Sequence, residues 1–237
     1  MANSYQKNEH GNLKYLQFGP VLAGTNVGTA LTKELLDRGA KTTKSNVHDL
    51  AGHIQKENEF AIPDYVWFVE NFKDFFIPYF KKIQTSQDPH YYYGRKPFNR
   101  VLLNKLWINY MKCNEFNPPH THSGDFSFVL YLDVPKVIEE EIRNFKGTGL
   151  GPGTISFYHG EDQKGIINAH GIRPLDGDIW MFPATLKHMV PPFRSDVTRI
   201  SVSGNIFITD YLNRNQPIQP GEFYINNSEE KHDKSNE

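Results

Sequence analysis

The sequence holds a single cysteine, Cys113, among 237 residues. One thiol closes no intramolecular disulfide, so stability must come from a core rather than from cross-links, and a reducing compartment suits the chain. Cys113 itself reads as a small residue packed near a strand rather than as a nucleophile. Excess charge is also missing, with 26 basic side chains against 27 acidic ones and a formal net charge of -1. Nothing in that balance neutralises a run of phosphates, so a nucleic-acid backbone is a poor partner. No run of about 18 apolar residues occurs, and no membrane-spanning helix is expected. Met1 to Tyr15 lacks the basic-then-apolar order of a signal peptide, and the expected location is the cytoplasm.

Aromatic residues are plentiful. They make up 14% of a chain that is 38% hydrophobic, enough for a real core, so disorder is expected only where apolar anchors run out. That happens in Asn226 to Glu237, which is read as a fraying tail. Residues 1–225 are expected to form one domain, with a helical part over 1–100 and a β-rich core over 101–210.

Within Asn26 to Arg38, Val27, Leu31, Leu35 and Leu36 recur at helical spacing, with Gly39 as a C-cap. A second helix is expected from about Pro63 to Ile83, carrying Val66, Phe68, Val69, Phe72, Phe75 and Phe76. Pro78 should kink or split it. From about Val101 the texture changes to short strands between turn residues: Leu103–Lys112, Phe126–Asp133, Thr154–Tyr158, Asp178–Phe182, Lys187–Val190 and Thr198–Thr209. Helices followed by short strands indicate an α+β fold. Its body is expected to be an antiparallel jelly roll, cupin-like, with the N-terminal helices packed on the sheet.

Of ten histidines, three have informative spacing. His120 and His122 lie in NPPHTHSGD, and positions i and i+2 of extended backbone project to one side, so both can grip one ion. His188 lies in FPATLKHMVPP. Three such ligands close one face of a coordination sphere and leave the others open for co-substrate and dioxygen. An H-x-H pair by itself is a weak signal, since surface histidines pair by chance.

The residues after His188 strengthen it. If Lys187 to Ser201 is a hairpin turning at Pro192–Ser195, His188 and Arg199 oppose each other with Cβ atoms about 4.5–5.5 Å apart. Arg199, Ser201, Ser203 and Asn205 then share one face, and Ile200, Val202 and Ile206 the other. A guanidinium near a metal suits a chelating dicarboxylate held through two parallel bonds, with Ser201 as a further donor. 2-Oxoglutarate is the common molecule of that shape.

The segments WINYMKCNEFNPPHTHSGDFSFVLYLDVP and GDIWMFPATLKHMVPPFRSDVTRISVSGN resemble the 2-oxoglutarate/Fe(II) oxygenase superfamily, and more narrowly a branch found in marine bacteria and T4-like cyanophages. The resemblance covers about Leu103 to Phe207 and reaches more weakly to NVHDLAGHIQ (Asn46–Gln55). It implies a double-stranded β-helix and a hydroxylase that consumes 2-oxoglutarate and O2 and releases succinate and CO2. Its substrate would be a peptidyl residue, a free amino acid or another small metabolite. In the family pattern a histidine is followed two residues on by a carboxylate, then a distant histidine, then a basic residue about ten further on. His120, His188 and Arg199 stand at those places, with Arg199 and Ser201 as the co-substrate site. Tyr110 and Tyr131 match tyrosines that hydrogen-bond 2-oxoglutarate in prolyl hydroxylases. The departure is His122, which replaces the carboxylate; the third ligand is then His122, a water, or Asp125 reaching back over Gly124. If the chain is viral, the cytoplasm is the host's. A homodimer is compatible with the sequence. Two other readings share the fold: a cupin-type three-histidine dioxygenase or isomerase that does not use 2-oxoglutarate, and a non-catalytic jelly-roll binding or virion protein.

Overall fold

The computed structural model describes residues 6–8, 11–13, 19–49, 51–85, 98–147, 149, 151–161, 169–210 and 218–226. The expected tail lies outside these residues from position 227 on. In chain order the elements are β1 (Gln6–Asn8), β2 (Gly11–Leu13), β3 (Ala23–Asn26), α1 (Thr29–Gly39), β4 (Lys44–Ser45), β5 (Glu57–Glu59) and α2 (Ile62–Thr85). Then come β6 (Arg100–Lys112), β7 (Asn117–His120), β8 (Phe126–Asp133), α3 (Lys136–Asn144), β9 (Ile155–Tyr158), β10 (Ala169–Ile172), β11 (Asp178–Pro183), β12 (Lys187–Val190), β13 (Thr198–Ile208) and β14 (Glu222–Tyr224). Among the described residues, no helix is long and apolar enough to cross a membrane.

Two antiparallel sheets make the body. The larger has the order β3-β11-β8-β13-β6-β5-β4, with β14 paired to the other end of β6, and the smaller has the order β10-β9-β12-β7. The large sheet is buried on both faces because its central strands alternate between two cores. Phe126, Phe128, Leu130 and Leu132 of β8 meet α2, whereas Val129 and Tyr131 look toward the smaller sheet. On α2, Phe68, Phe72, Phe76 and Phe80 recur at i+4 and form one stripe; Phe68 stacks on Phe128 and Phe80 meets Phe126 at a tilt, each pair at 5.1 Å between centroids.

Pro78 does not split the helix, which continues to Thr85. An interior proline costs about 3 kcal/mol, but Tyr79, Phe80 and Ile83 beyond it are all buried, and each contributes about 1.5–3 kcal/mol. The N-terminal part is likewise not only helical, since it supplies β3, β4 and β5 to the large sheet. Asn26 pairs with Asp178, so α1 starts at Thr29. Gly39 is the last residue of that helix rather than a residue beyond it; it is buried, and a Cβ there would run into Ile108.

The expected hairpin between His188 and Arg199 is not formed. β12 pairs with β7 and β9, whereas β13 pairs with β6 and β8. Pro191 and Pro192 have no N–H to extend a ladder across the turn. Instead Gly153 N–H donates to Pro191 O at 3.1 Å, Asn114 N–H donates to Phe193 O at 2.8 Å, and Phe193 is fully buried. The segment is therefore a crossing from one sheet to the other.

Candidate metal centre

His120 ends β7, His188 stands directly opposite it on β12, and His122 lies just past β7, its N–H donating to Ala184 O at 2.8 Å. One ring nitrogen from each of the three can be chosen so that all lie within 4.8 Å of one another. β7 contains Pro118 and Pro119, which explains why no strand was expected there. It is an edge strand, where a missing N–H is tolerated.

Each imidazole has its Nδ1 on a protein oxygen: Pro118 O at 2.7 Å for His120, Ser127 Oγ at 2.6 Å for His122 and Leu186 O at 2.9 Å for His188. The Ser127 hydroxyl donates to Gly204 O at 2.9 Å, so it accepts from His122. All three rings are thus Nδ1–H tautomers with the Nε2 lone pair left for an ion. The Nε2 atoms of His120 and His122 face each other at 3.3 Å. Two lone pairs at that distance repel unless a cation lies between them, so the donor set fits a metal. Burial pushes His188 down to about 4, and burial together with the neighbouring imidazoles holds His122 well below its ordinary value; burial also lowers His120. The rings are neutral at pH 7, the form that ligates metal.

These histidines line a cavity of about 360 Å³ between the two sheets. From β13, Arg199, Ser201, Ser203 and Asn205 line it too, in the alternation expected from the sequence. Arg199 is 3% exposed. Its Nη1 donates to Gly153 O at 2.5 Å and its Nη2 contacts Met111 Sδ at 3.1 Å, while Nε has no acceptor. Among the described residues no carboxylate reaches it. The Tyr131 hydroxyl, fully buried, also lacks a partner, and the guanidinium lies 5.5 Å from the centre of its ring. Burial raises the Tyr131 phenol to about 12, so it remains a donor, and burial lowers the Arg199 guanidinium from its ordinary value. A buried cation and a buried hydroxyl, both with unspent donors, make a place for a carboxylate.

Two expected residues lie elsewhere. Tyr110 is on the other face of β6, packed toward the α2 core, with Lys56 Nζ 4.0 Å above its ring. The cavity face of β6 carries Lys105, Trp107 and Asn109, so strand parity excludes Tyr110 from it. Asp125 turns its carboxylate onto Ile208 N–H at 2.7 Å, and the histidine cluster does not include it.

Sequence reasoning missed Ser127, Trp107, Asn109, Glu57 and Asn46. The first three were within reach of parity along strands already expected. Trp107 meets the His122 ring edge-on at 5.5 Å. Glu57 and Asn46 arrive from outside the expected strands; Asn46 opens the weakly similar segment Asn46–Gln55, and no sequence signal marked Glu57.

Residues 105–205 match the family model described as "Putative 2OG-Fe(II) oxygenase". No curated protein sequence matches the chain. Among solved structures, a prolyl hydroxylase from Trichoplax adhaerens, in complex with a hypoxia inducible factor peptide fragment, is similar at 11% identity and TM-score 0.50. The match covers 83% of this chain and 87% of that one. The viral collagen prolyl hydroxylase of Paramecium Bursaria Chlorella virus-1 gives 10% identity and TM-score 0.47 over 78% and 94%. A 2OG-Fe(II) oxygenase family oxidoreductase from Burkholderia pseudomallei gives 17% identity and TM-score 0.32 over 45% of this chain, and the chain spans only 43% of its length. The fold is the double-stranded β-helix, and the segment 105–205 that matches the 2OG-Fe(II) oxygenase model holds all three histidines and Arg199.

Proposed function

We propose that the chain is a hydroxylase in which His120, His122 and His188 hold Fe(II), and Arg199, Ser201 and Tyr131 hold the far carboxylate of 2-oxoglutarate. The observation that carries this reading is Arg199, a guanidinium buried in the histidine cavity with no carboxylate beside it among the described residues. A buried charge of that kind costs several kcal/mol unless it is paired, and a dianionic co-substrate is the partner that makes it useful.

Bound iron with 2-oxoglutarate and O2 supplies the oxidising power for insertion of oxygen into a C–H bond, with succinate and CO2 released. The chain's own residues do the rest. The three Nδ1 hydrogen bonds fix the imidazoles before an ion arrives, so ligand reorganisation costs little. Arg199 orients the co-substrate by a planar fork, and Tyr131 adds a directional donor. Phe157, Phe182 and Val129 form the dry wall behind the histidines. No general base is needed. The substrate class is an amino-acid residue, free or peptidyl, or another small metabolite. A cytoplasmic setting accompanies the proposal and rests on the single cysteine.

Anaerobic titration of the Fe(II)-loaded protein with 2-oxoglutarate tests this reading. The expected outcome is the weak visible charge-transfer band of the chelate, saturating at one equivalent. Stoichiometric iron binding without that band would favour a second reading, an enzyme that does not use 2-oxoglutarate. The all-histidine donor set supports that alternative, since it leaves the ion one charge more positive than a site with a carboxylate. A failure to bind iron would end both.

A further inference from the structure

The three histidines are not held alike. His120 and His188 face each other across the ladder of β7 and β12, and each has its Nδ1 on the carbonyl two residues before it, Pro118 O and Leu186 O. Local backbone therefore sets the orientation of both rings. His122 lies past the end of β7, in the stretch before β8, and its Nδ1 reaches a side chain, Ser127 Oγ. The χ2 torsion of histidine has a broad well, so one hydrogen bond does not fix the ring plane. A wall has to do that.

Trp107 supplies it. The residue is buried, lines the cavity from β6 and meets the His122 ring edge-on, with 5.5 Å between centroids and 66° between planes. Phe182 stands farther off, at 6.2 Å. The indole is itself held. Asn109, two residues on along β6, shares its face of the strand. In the one orientation that satisfies its neighbours, the Asn109 amide oxygen accepts Trp107 Nε1–H at 3.2 Å and its nitrogen donates to Glu57 Oε2. Glu57, opposite Asn109 on β5, takes Asn46 Nδ2 on its other oxygen at 2.5 Å. All four residues are buried, so each link is a hydrogen bond made away from water, where it is stronger. Asn46 and Glu57 precede the matched segment 105–205, so the N-terminal part of the chain reaches the metal centre without supplying a ligand.

We propose that Trp107 is a positioning residue for the metal site: clamped by Asn109, Glu57 and Asn46, it holds the His122 ring with Nε2 toward the ion that His120 and His188 bind. The inference rests on the three-histidine metal reading above. A carboxylate can offer either of two oxygens to an ion. His122 offers one lone pair in the plane of its ring, so the ring plane decides whether it ligates at all. Edge-to-face aromatic contacts are directional, and groups that orient a ligand ring change metal affinity by about 10–100-fold.

The test uses the full chain, and the probe is Co(II), titrated anaerobically without 2-oxoglutarate. Affinity is read by competition with a chelator. The ligands are read by proton NMR, in which each imidazole bound through Nε2 gives one exchangeable Nδ1–H resonance shifted far downfield by the paramagnetic ion. The unmodified protein should show one such resonance for each of the three histidines, that of His122 being assigned by its absence in His122→Ala. Trp107→Leu keeps an apolar side chain without the flat edge. It should bind Co(II) about tenfold more weakly, with the His122 resonance broadened or lost and those of His120 and His188 in place. Trp107→Phe restores an aromatic edge and should recover the His122 resonance and most of the affinity. If Trp107→Leu does not fold, Asn109→Ala replaces it: the indole stays but loses its acceptor, and the same resonance should broaden. A sharp His122 resonance with unchanged affinity in the variant that folds would overturn the proposal, even where its melting temperature fell, because that is the pattern of a merely structural residue. A phenylalanine variant no better than leucine would overturn it too. Absence of the His122 resonance in the unmodified protein is a failure of the three-histidine reading itself, so the two outcomes are distinct.

Discussion

His188 and Arg199 reach one cavity from two different sheets, His188 paired with His120 and Phe157 in the smaller and Arg199 paired with Met111 in the larger. The cavity lies between them because the chain crosses from one sheet to the other at Pro191–Val197 rather than turning back on itself. A metal and a chelating acid can then be held from opposite walls, and each wall can be altered separately.

Arg199→Ala tests that separation. The far carboxylate loses its charge-assisted bonds, each worth about 1.5–3 kcal/mol, so 2-oxoglutarate affinity should fall on the order of 100-fold or more. Iron should still bind at one equivalent, because the three imidazoles and their Nδ1 partners are on other strands. Arg199→Lys keeps the charge without the planar fork and should fall between the two. Retained succinate formation by the alanine variant at ordinary co-substrate levels would contradict the assignment.

Ser127 holds His122 in register, accepting from Nδ1 while donating to Gly204 O. Its replacement by alanine leaves the ring free to rotate and should weaken Fe(II) by about 10–100-fold in a competition titration. Asp125→Ala is the contrasting variant. The Asp125 carboxylate accepts Ile208 N–H at the end of β13, so its loss should lower the melting temperature and leave iron affinity nearly unchanged. A large loss of iron in Asp125→Ala would return that carboxylate to the ligand set.

The strands of the core were legible because β8, β11, β12 and β13 are bounded by Gly, Pro and Asp turns, and the alternation in TRISVSGN assigns Arg199 and Ser201 to one face directly. The hairpin that joins His188 to Arg199 on paper does not form, and the two line one cavity because β12 and β13, in different sheets, both border it. Two prolines gave it away in retrospect, since a ladder cannot run through Pro191 and Pro192. What stayed hidden depends on contacts distant in sequence. Glu57 meets the cavity only because β5 pairs with the distant β6, whereas α3 was within reach, since Ile138 and Ile142 of this short charged segment stand at i and i+4. Tyr110 was assigned by likeness, and parity along its own strand would have excluded it.

Glu141 of α3 fastens the crossing segment. Its carboxylate accepts the backbone N–H groups of Arg194 and Ser195 and the Ser195 hydroxyl. Burial pushes this carboxyl up, but those donors and the Arg194 charge outweigh it and hold the group below its ordinary 4.5. A depressed carboxyl contributes stability that is full above the unfolded value and is lost as pH falls through the folded one. Glu141→Gln should therefore melt at a lower temperature than the unmodified protein at pH 7. The gap should stay constant down to about pH 5 and close below 4.5. A gap that widened with acid would reverse the sign and remove Glu141 as the fastening group.

Gly204 sits in the middle of β13, where a side chain has no room. A Cβ there would come within 2.6 Å of the Phe128 ring and 2.8 Å of Lys105 O. The first neighbour is a core aromatic and the second is backbone, so neither yields cheaply, and Gly204→Ala should cost about 1–3 kcal/mol. For a chain of this size that is a fall in melting temperature of about 2–12 °C. The same carbonyl that supports Ser127 belongs to Gly204, so the displacement passes to His122. Iron affinity should then fall together with stability in Gly204→Ala, whereas Asp125→Ala lowers stability alone. Measured side by side, the two variants separate strain that reaches the metal ligands from strain that stops at the edge of the sheet.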